Sequence, residues 1–203
     1  MEDNNGLLLY AVRWIHYVSG VCWIGLLYFL NLVNVPLQGK LDAGVKKVLV
    51  PELMPRVLFW FRWAAMFTFL SGLTYYVLFF EMGGVRAATP NWSVWILLGM
   101  LLGSIMWFNV WFVIWPNQRK IINGVKSGNP ADPSIPKKAL LFSRINTFLS
   151  VPMLFFMGYG RHAGQHVSIA SGEGIMVVIL AGAVGAGVAW FAIKQSGSIS
   201  TEV

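Results

Sequence analysis

Long apolar stretches separated by short polar segments recur five times along the chain. They lie within residues 7–35, 56–80, 92–115, 139–162 and 173–194. Each stretch holds roughly the 20 residues that an α-helix needs to cross the hydrocarbon core of a bilayer. Backbone polar groups inside a membrane must be satisfied within the segment itself, which favours helices. The pattern therefore predicts an all-α fold in which residues 1–203 form one bundle of about five transmembrane helices.

The two longest polar connections, residues 36–55 and 116–138, are both rich in basic residues. In the first, Val45 and Val48 flank Lys46 and Lys47, a pattern that fits either a short amphipathic helix on the membrane surface or a plain loop. The second contains a proline-rich stretch with the residues typical of turns and no periodicity. We expect both connections to lie in the cytoplasm.

Composition and charge support this topology. Hydrophobic residues make up 57% of the chain and charged residues 11%, which excludes an ordinary soluble domain. The net charge of +7 comes mainly from basic residues in the two connections and after the last apolar stretch, so a nucleic-acid partner is not indicated. The positive-inside rule then predicts an external N-terminus and a cytoplasmic C-terminus. Because Glu2 and Asp3 precede the first stretch, we do not expect it to be a cleaved signal peptide.

Several kinds of chemistry are excluded by what the sequence lacks. Cys22 is the single cysteine, so neither a disulfide framework nor a covalently attached c-type haem can form. There is no phosphate-binding glycine loop and no zinc-protease motif, and the eight acidic residues lie almost entirely in connections and at the ends. Hydrolysis and phosphoryl transfer are therefore not expected.

Histidines provide the strongest indication of function, because ionisable side chains inside a membrane are costly unless they have a partner or a role. His16 lies about one helical turn below the predicted outer surface. Counting ~1.5 Å per residue along the fourth helix brings His162 to the same surface. Gly20 and Gly158 lie one turn deeper on the same helix faces as these histidines, leaving room for a flat ring. We therefore predict haem b, with His16 and His162 as axial ligands.

Two arginines and a third histidine complete the predicted site. Arg13 and Arg161 lie near the same surface, where they could pair with haem propionates. His166 is an alternative second ligand, and His162 and His166 could bind a metal ion together if the fourth helix continues to residue 166. Met153 and Met157, four residues apart on that helix, are further candidates for the axial position. The alternative for His16 is a hydrogen bond to a neighbouring helix, and a copper site would use the same histidines and methionines.

Three blocks of sequence also resemble a known family. They are Trp14-Ile-His16 with Gly20 and Trp23-Ile-Gly25-Leu-Leu-Tyr28; Phe108-Asn-Val-Trp111 with Ile114-Trp-Pro-Asn-Gln-Arg-Lys120; and Asn146-Thr-Phe-Leu-Ser-Val-Pro-Met-Leu-Phe-Phe-Met157 with His162. Together they resemble the membrane domain of bacterial urate hydroxylase, also called urate oxidase. The opening block is more loosely similar to copper-resistance D proteins and to haem-binding membrane protoporphyrinogen oxidases.

The resemblance implies a redox protein of the bacterial inner membrane. Members of the family usually carry a C-terminal cytochrome c domain that accepts electrons, and this sequence does not contain one. Our leading interpretation is a haem b protein that passes electrons to an external cytochrome c or serves as the haem subunit of a larger complex or homo-oligomer. The alternatives are a urate-oxidising membrane enzyme, a non-redox accessory subunit and a copper-handling protein.

Overall fold

The computed structural model describes residues 2–81 and 90–199 of the chain. The fold is 90% helical, with no strand among these residues. Seven α-helices and two π-helical segments follow one another along the chain: α1 (Glu2–Tyr28), a first π segment (Phe29–Asn34), α2 (Val35–Lys40), α3 (Ala43–Glu81), α4 (Pro90–Phe108), a second π segment (Asn109–Ile114), α5 (Trp115–Ser127), α6 (Ser134–His162) and α7 (Gly172–Ser198).

These elements form five helices that are long and apolar enough to cross a membrane, as the sequence predicted. We call them the first to fifth spans: Gly6–Lys40, Ala43–Glu81, Ser93–Ser127, Ser134–Gly160 and Gly172–Ser198. The helices run further than the predicted boundaries. Only Leu41 and Asp42 interrupt the helix within residues 36–55, and the proline-rich connection is non-helical only from Gly128 to Pro133.

The first and third spans contain the same backbone irregularity. Pro36 and Pro116 each occupy the first turn of the helix that follows a π segment. Proline has no N–H and cannot continue the α-helical hydrogen bonding, so a wider turn before it takes up the mismatch. Phe29 and Asn109, which begin the two π segments, are 80 residues apart, and so are Pro36 and Pro116. The first and third spans thus share this local feature at the same spacing.

The first hairpin pairs α1 with α3, and the second pairs α4 with α6. Polar side chains join the hairpins inside the apolar bundle. The Asn31 amide donates to the Ser143 hydroxyl at 2.8 Å, and the Tyr28 and Ser150 hydroxyls are 2.9 Å apart. Within the second hairpin, the Asn109 amide donates to the Asn146 side-chain carbonyl at 2.8 Å. These bonds link the first, third and fourth spans around the space between the hairpins.

The fifth span packs on the outside of the bundle, against α6. Gly185 is the point of closest approach, because a Cβ there would lie 2.7 Å from Cδ of Pro152. Gly182 and Gly187 face open space instead. Most apolar side chains of α7 are exposed, as expected for a helix that contacts lipid.

Candidate functional site

A cavity of about 580 Å³ lies between the two hairpins. Residues from the first four spans line it, and its wall is almost entirely apolar. His16 and Gly20 come from the first span, Gly72 from the second, Gly103 from the third and Met157 from the fourth. Cavities between the helices of a bundle are common positions for cofactors. The cavity is therefore the candidate functional site.

His16 supplies the one ionisable imidazole in the cavity wall. Its Nδ1 lies 2.8 Å from the backbone carbonyl oxygen of Thr68 in the second span. A carbonyl can only accept, so Nδ1 carries the hydrogen and Nε2 keeps its lone pair. A backbone carbonyl that fixes the tautomer in this way is the usual companion of a metal-binding histidine. The sequence offered ligand and hydrogen-bonded histidine as alternatives, and this geometry is compatible with both.

Glycine at position 72 allows the imidazole to lie directly against the second span. A Cβ at Gly72 would be 2.8 Å from Cε1 and 2.9 Å from Nδ1 of His16, closer than real Cβ atoms approach. Gly20 is less crowded, since a Cβ there would meet Cγ2 of Thr68 at 3.8 Å. Gly72 is thus the position that the His16 geometry depends on most.

Methionines form part of the wall contributed by the second hairpin. Met100, Met153 and Met157 all line the cavity. Met157 packs on Gly99, where a Cβ would lie 3.2 Å from the Met157 sulfur. Two of these thioethers, at Met153 and Met157, are the four-residue pair that the sequence raised as axial-ligand candidates. The structure brings them to the same cavity as His16.

Trp23 adds a polar atom to this wall. Its side chain is 2% exposed and lines the cavity, and its indole nitrogen has no hydrogen-bond partner within the described part of the chain. A buried donor without a partner is costly in an apolar environment. Trp23 could therefore donate to an acceptor on a bound group.

Arg13 lies one turn from His16 on α1, and its side chain is bonded to a residue of the second span. Its guanidinium donates to the Tyr75 hydroxyl, and its Cζ lies 4.7 Å from the centroid of the Tyr75 ring. Gly158 faces open space and does not contribute to the cavity wall. The side chain of Arg161 lies outside the described part of the structure. Gly20, Met153 and Met157 are the predicted residues that the structure describes in the cavity wall with His16.

The other two histidines lie at the end of the fourth span, away from the cavity wall. His162 is the last residue of α6, and both His162 and His166 are exposed. The chain turns immediately afterwards, with the Gly164 N–H donating to the Tyr159 carbonyl at 2.8 Å. Because α6 does not continue to residue 166, the four-residue spacing does not place these histidines on one helix face.

The turn after α6 is packed on Trp95 of the third span. The Trp95 indole donates to the Val167 carbonyl at 3.0 Å, and a Cβ at Gly164 would lie 2.5 Å from Trp95 Cδ1.

Within residues 2–81 and 90–199, no group of three or more His, Cys, Asp or Glu side chains could hold a metal ion. A haem iron needs only one or two protein ligands, so the cavity remains compatible with that group.

Comparison with protein-family models matches residues 84–202 to the family described as urate oxidase N-terminal. The matched region is more than half of the chain and contains the third, fourth and fifth spans. His16 and the first hairpin lie outside it. Searches of curated proteins and of solved structures gave no match.

Proposed function

The chain belongs to the urate oxidase N-terminal family, and from that premise we propose that it is a membrane-embedded haem b protein that transfers electrons. The match confirms the suspected family and contains the second and third of the three sequence blocks, and the chain is a multi-pass membrane protein of urate-oxidase-like type. The observation that carries the proposal is His16, oriented by the Thr68 carbonyl with its Nε2 lone pair available at a large apolar cavity.

The dimensions of the cavity support a bound macrocycle. Its volume of about 580 Å³ falls in the middle of the usual range for cofactor and ligand sites. Gly20, Gly72 and Gly103 contribute no side chains to its wall, which leaves flat surfaces between the helices. Apolar walls exclude water from the haem and favour the less charged, reduced iron.

His16 would hold the haem iron from the first hairpin, and a methionine would hold it from the second. Met157 and Met153 line the same cavity as His16, whereas His162 does not, so the methionines replace His162 in the proposal. Methionine–histidine coordination gives haem a raised reduction potential. Bound haem would supply one-electron transfer, and the residues of this chain would hold it, orient it and set its potential.

The electron acceptor in the proposal is an external cytochrome c. His16 lies ten residues into the first span, ~15 Å along its axis, and so sits in the half of the bundle nearer the predicted outer face. From this depth the outer face is nearer than the cytoplasmic one, so a group held by His16 would suit transfer to an external acceptor. The prediction that the N-terminus is external sets the direction of this transfer.

A second candidate function is oxidation of urate or a related small molecule. The family match supports it. The wall of the cavity argues against urate binding there, because a polar, anionic molecule would lose its hydration against almost purely apolar side chains. In this version the substrate would bind near the outer face and reduce the haem. Reduction of the bound haem by urate in membranes would favour the enzyme, and no reduction by urate would leave electron transfer alone.

The proposal is tested by measuring haem bound to the purified full-length chain with a pyridine haemochrome spectrum. We expect haem b in a fixed ratio to protein, its loss in His16→Ala and its retention in the matched control His162→Ala. A haem-free wild-type protein, or full haem in His16→Ala, would refute the assignment. Loss of haem in His162→Ala instead would restore His162 as the second ligand.

A further inference from the structure

A second cavity, of about 330 Å³, lies between the fourth and fifth spans, where Arg144 of α6 and Lys194 of α7 both line it. Phe148, Trp190 and Ile193 complete the lining. Two cations in one small cavity repel each other unless an anion neutralises them.

Residues 2–81 and 90–199 offer no acidic partner here. Among the described residues the one ion pair is Arg56 with Glu52, and neither Arg144 nor Lys194 is hydrogen-bonded to a carboxylate. Glu173 is at the opposite end of α7, and Asp132 accepts a hydrogen bond from the Ser134 N–H. Nothing among the described residues therefore neutralises the two cations, which gives this cavity a net positive charge.

The location of the cavity indicates the source of the anion. Lys194 lies 22 residues from the start of α7, ~33 Å along it, at the end of the bundle where α6 begins. The ammonium group is 4.9 Å from the centroid of the Trp190 ring, which is itself 56% exposed. Tryptophan and lysine at the end of a lipid-facing helix are typical of the headgroup layer. Lipid phosphate is the anion that occupies this layer.

We propose that the Arg144–Lys194 cavity binds the phosphate group of an anionic phospholipid. The half-buried guanidinium of Arg144 provides directional N–H donors for phosphate oxygens, and the exposed Lys194 provides a mobile second charge. Trp190, Phe148 and Ile193 offer apolar surface for the adjoining glycerol and first acyl carbons. Basic pockets between membrane helices bind anionic lipids in this way. The site is separate from the His16 cavity, so this inference does not depend on the proposed haem.

The test uses the full chain in nanodiscs or mixed micelles, with phosphatidylglycerol as the anionic probe and phosphatidylcholine as the neutral one. Retained lipid is counted by native mass spectrometry. We expect phosphatidylglycerol to be retained in preference to phosphatidylcholine, and its affinity to fall about 25-fold in Arg144→Gln/Lys194→Gln, at about fivefold per charge. The matched control Lys137→Gln/Lys138→Gln also removes two positive charges, both from the start of α6, and neither residue lines the cavity.

Two further measurements separate a specific lipid site from general attraction between charges and from binding of a free anion. Lys194→Gln alone changes an exposed residue, so it keeps the test usable if the double variant does not fold, and we expect about a fivefold loss of affinity. Equal losses in the double variant and its control would show general attraction between charges and overturn the site. Unchanged retention in both Lys194→Gln and the double variant would also overturn it. Equal retention of the two lipids, together with binding of millimolar inorganic phosphate that the double variant loses, would assign a free anion and refute the lipid as ligand.

Discussion

Replacing Gly72 with alanine is the smallest change that should disable the His16 site. The new Cβ would be built 2.8 Å from Cε1 and 2.9 Å from Nδ1 of the imidazole. Ordinary contacts begin at 3.4 Å, so the ring would have to retreat by about 0.6 Å. Metal–ligand distances tolerate changes of about 0.2 Å. A shift of this size would therefore break an Nε2–iron bond or force the helices apart.

The same substitution acts on the hydrogen bond that fixes the tautomer. Nδ1 lies 2.8 Å from the Thr68 carbonyl, one helical turn from Gly72 on α3. Loss of that bond costs about 0.5–1.5 kcal/mol, and overpacking adds about 1–3 kcal/mol. We expect Gly72→Ala to lose most of its haem while the chain itself is destabilised by a few kcal/mol at most.

The assay compares haem content and unfolding of Gly72→Ala with Gly158→Ala. Gly158 has open space around it, so an added methyl group meets nothing there. Sequence reasoning placed Gly158 against the haem, which makes it both a matched control and a test of that earlier prediction. Wild-type haem content in Gly72→Ala would refute the reasoning, and so would a loss of haem confined to Gly158→Ala.

Three further substitutions test the proposed methionine ligand and the packing of the helices. Met157→His should keep the haem but lower its reduction potential relative to wild type, because methionine ligation raises the potential; an unchanged potential in a redox titration would exclude Met157 as a ligand. Asn146→Leu should lower the unfolding free energy by about 1 kcal/mol in a detergent titration, since it leaves the buried Asn109 amide unpaired, and a variant as stable as wild type would contradict that. Gly164→Ala should destabilise the turn after α6 by about 1–3 kcal/mol through contact with Trp95, visible as faster proteolysis there, while protection equal to wild type would count against this packing.

The number and type of membrane helices followed from the sequence because hydropathy alone determines them. Five apolar stretches became five spans. Their ends were less predictable, since residues 36–55 are polar enough to suggest a connection yet still favour helix. Pro36 lies in the first turn of α2, where proline is tolerated, so the helix continues past the apolar stretch.

His16 could be singled out from sequence because a histidine in a membrane helix is unusual. Thr68 and Gly72 could not, because apolar residues are spread around the membrane-spanning part of α3 and its sequence does not reveal which face meets α1. Counting the rise per residue placed His162 at the predicted outer end of the fourth span, where α6 ends. It could not show which side of the helix the His162 side chain faces. The four-residue spacing of Met153 and Met157 was the sequence feature that pointed to the cavity wall contributed by the second hairpin.

The central claim is that His16 binds haem iron inside the membrane bundle. The most direct measurement is the reduced-minus-oxidised absorption spectrum of the purified wild-type chain beside that of His16→Ala. We expect the difference bands of a b-type haem in the wild type and their loss in the variant. A featureless wild-type spectrum, or identical bands in His16→Ala, would contradict it.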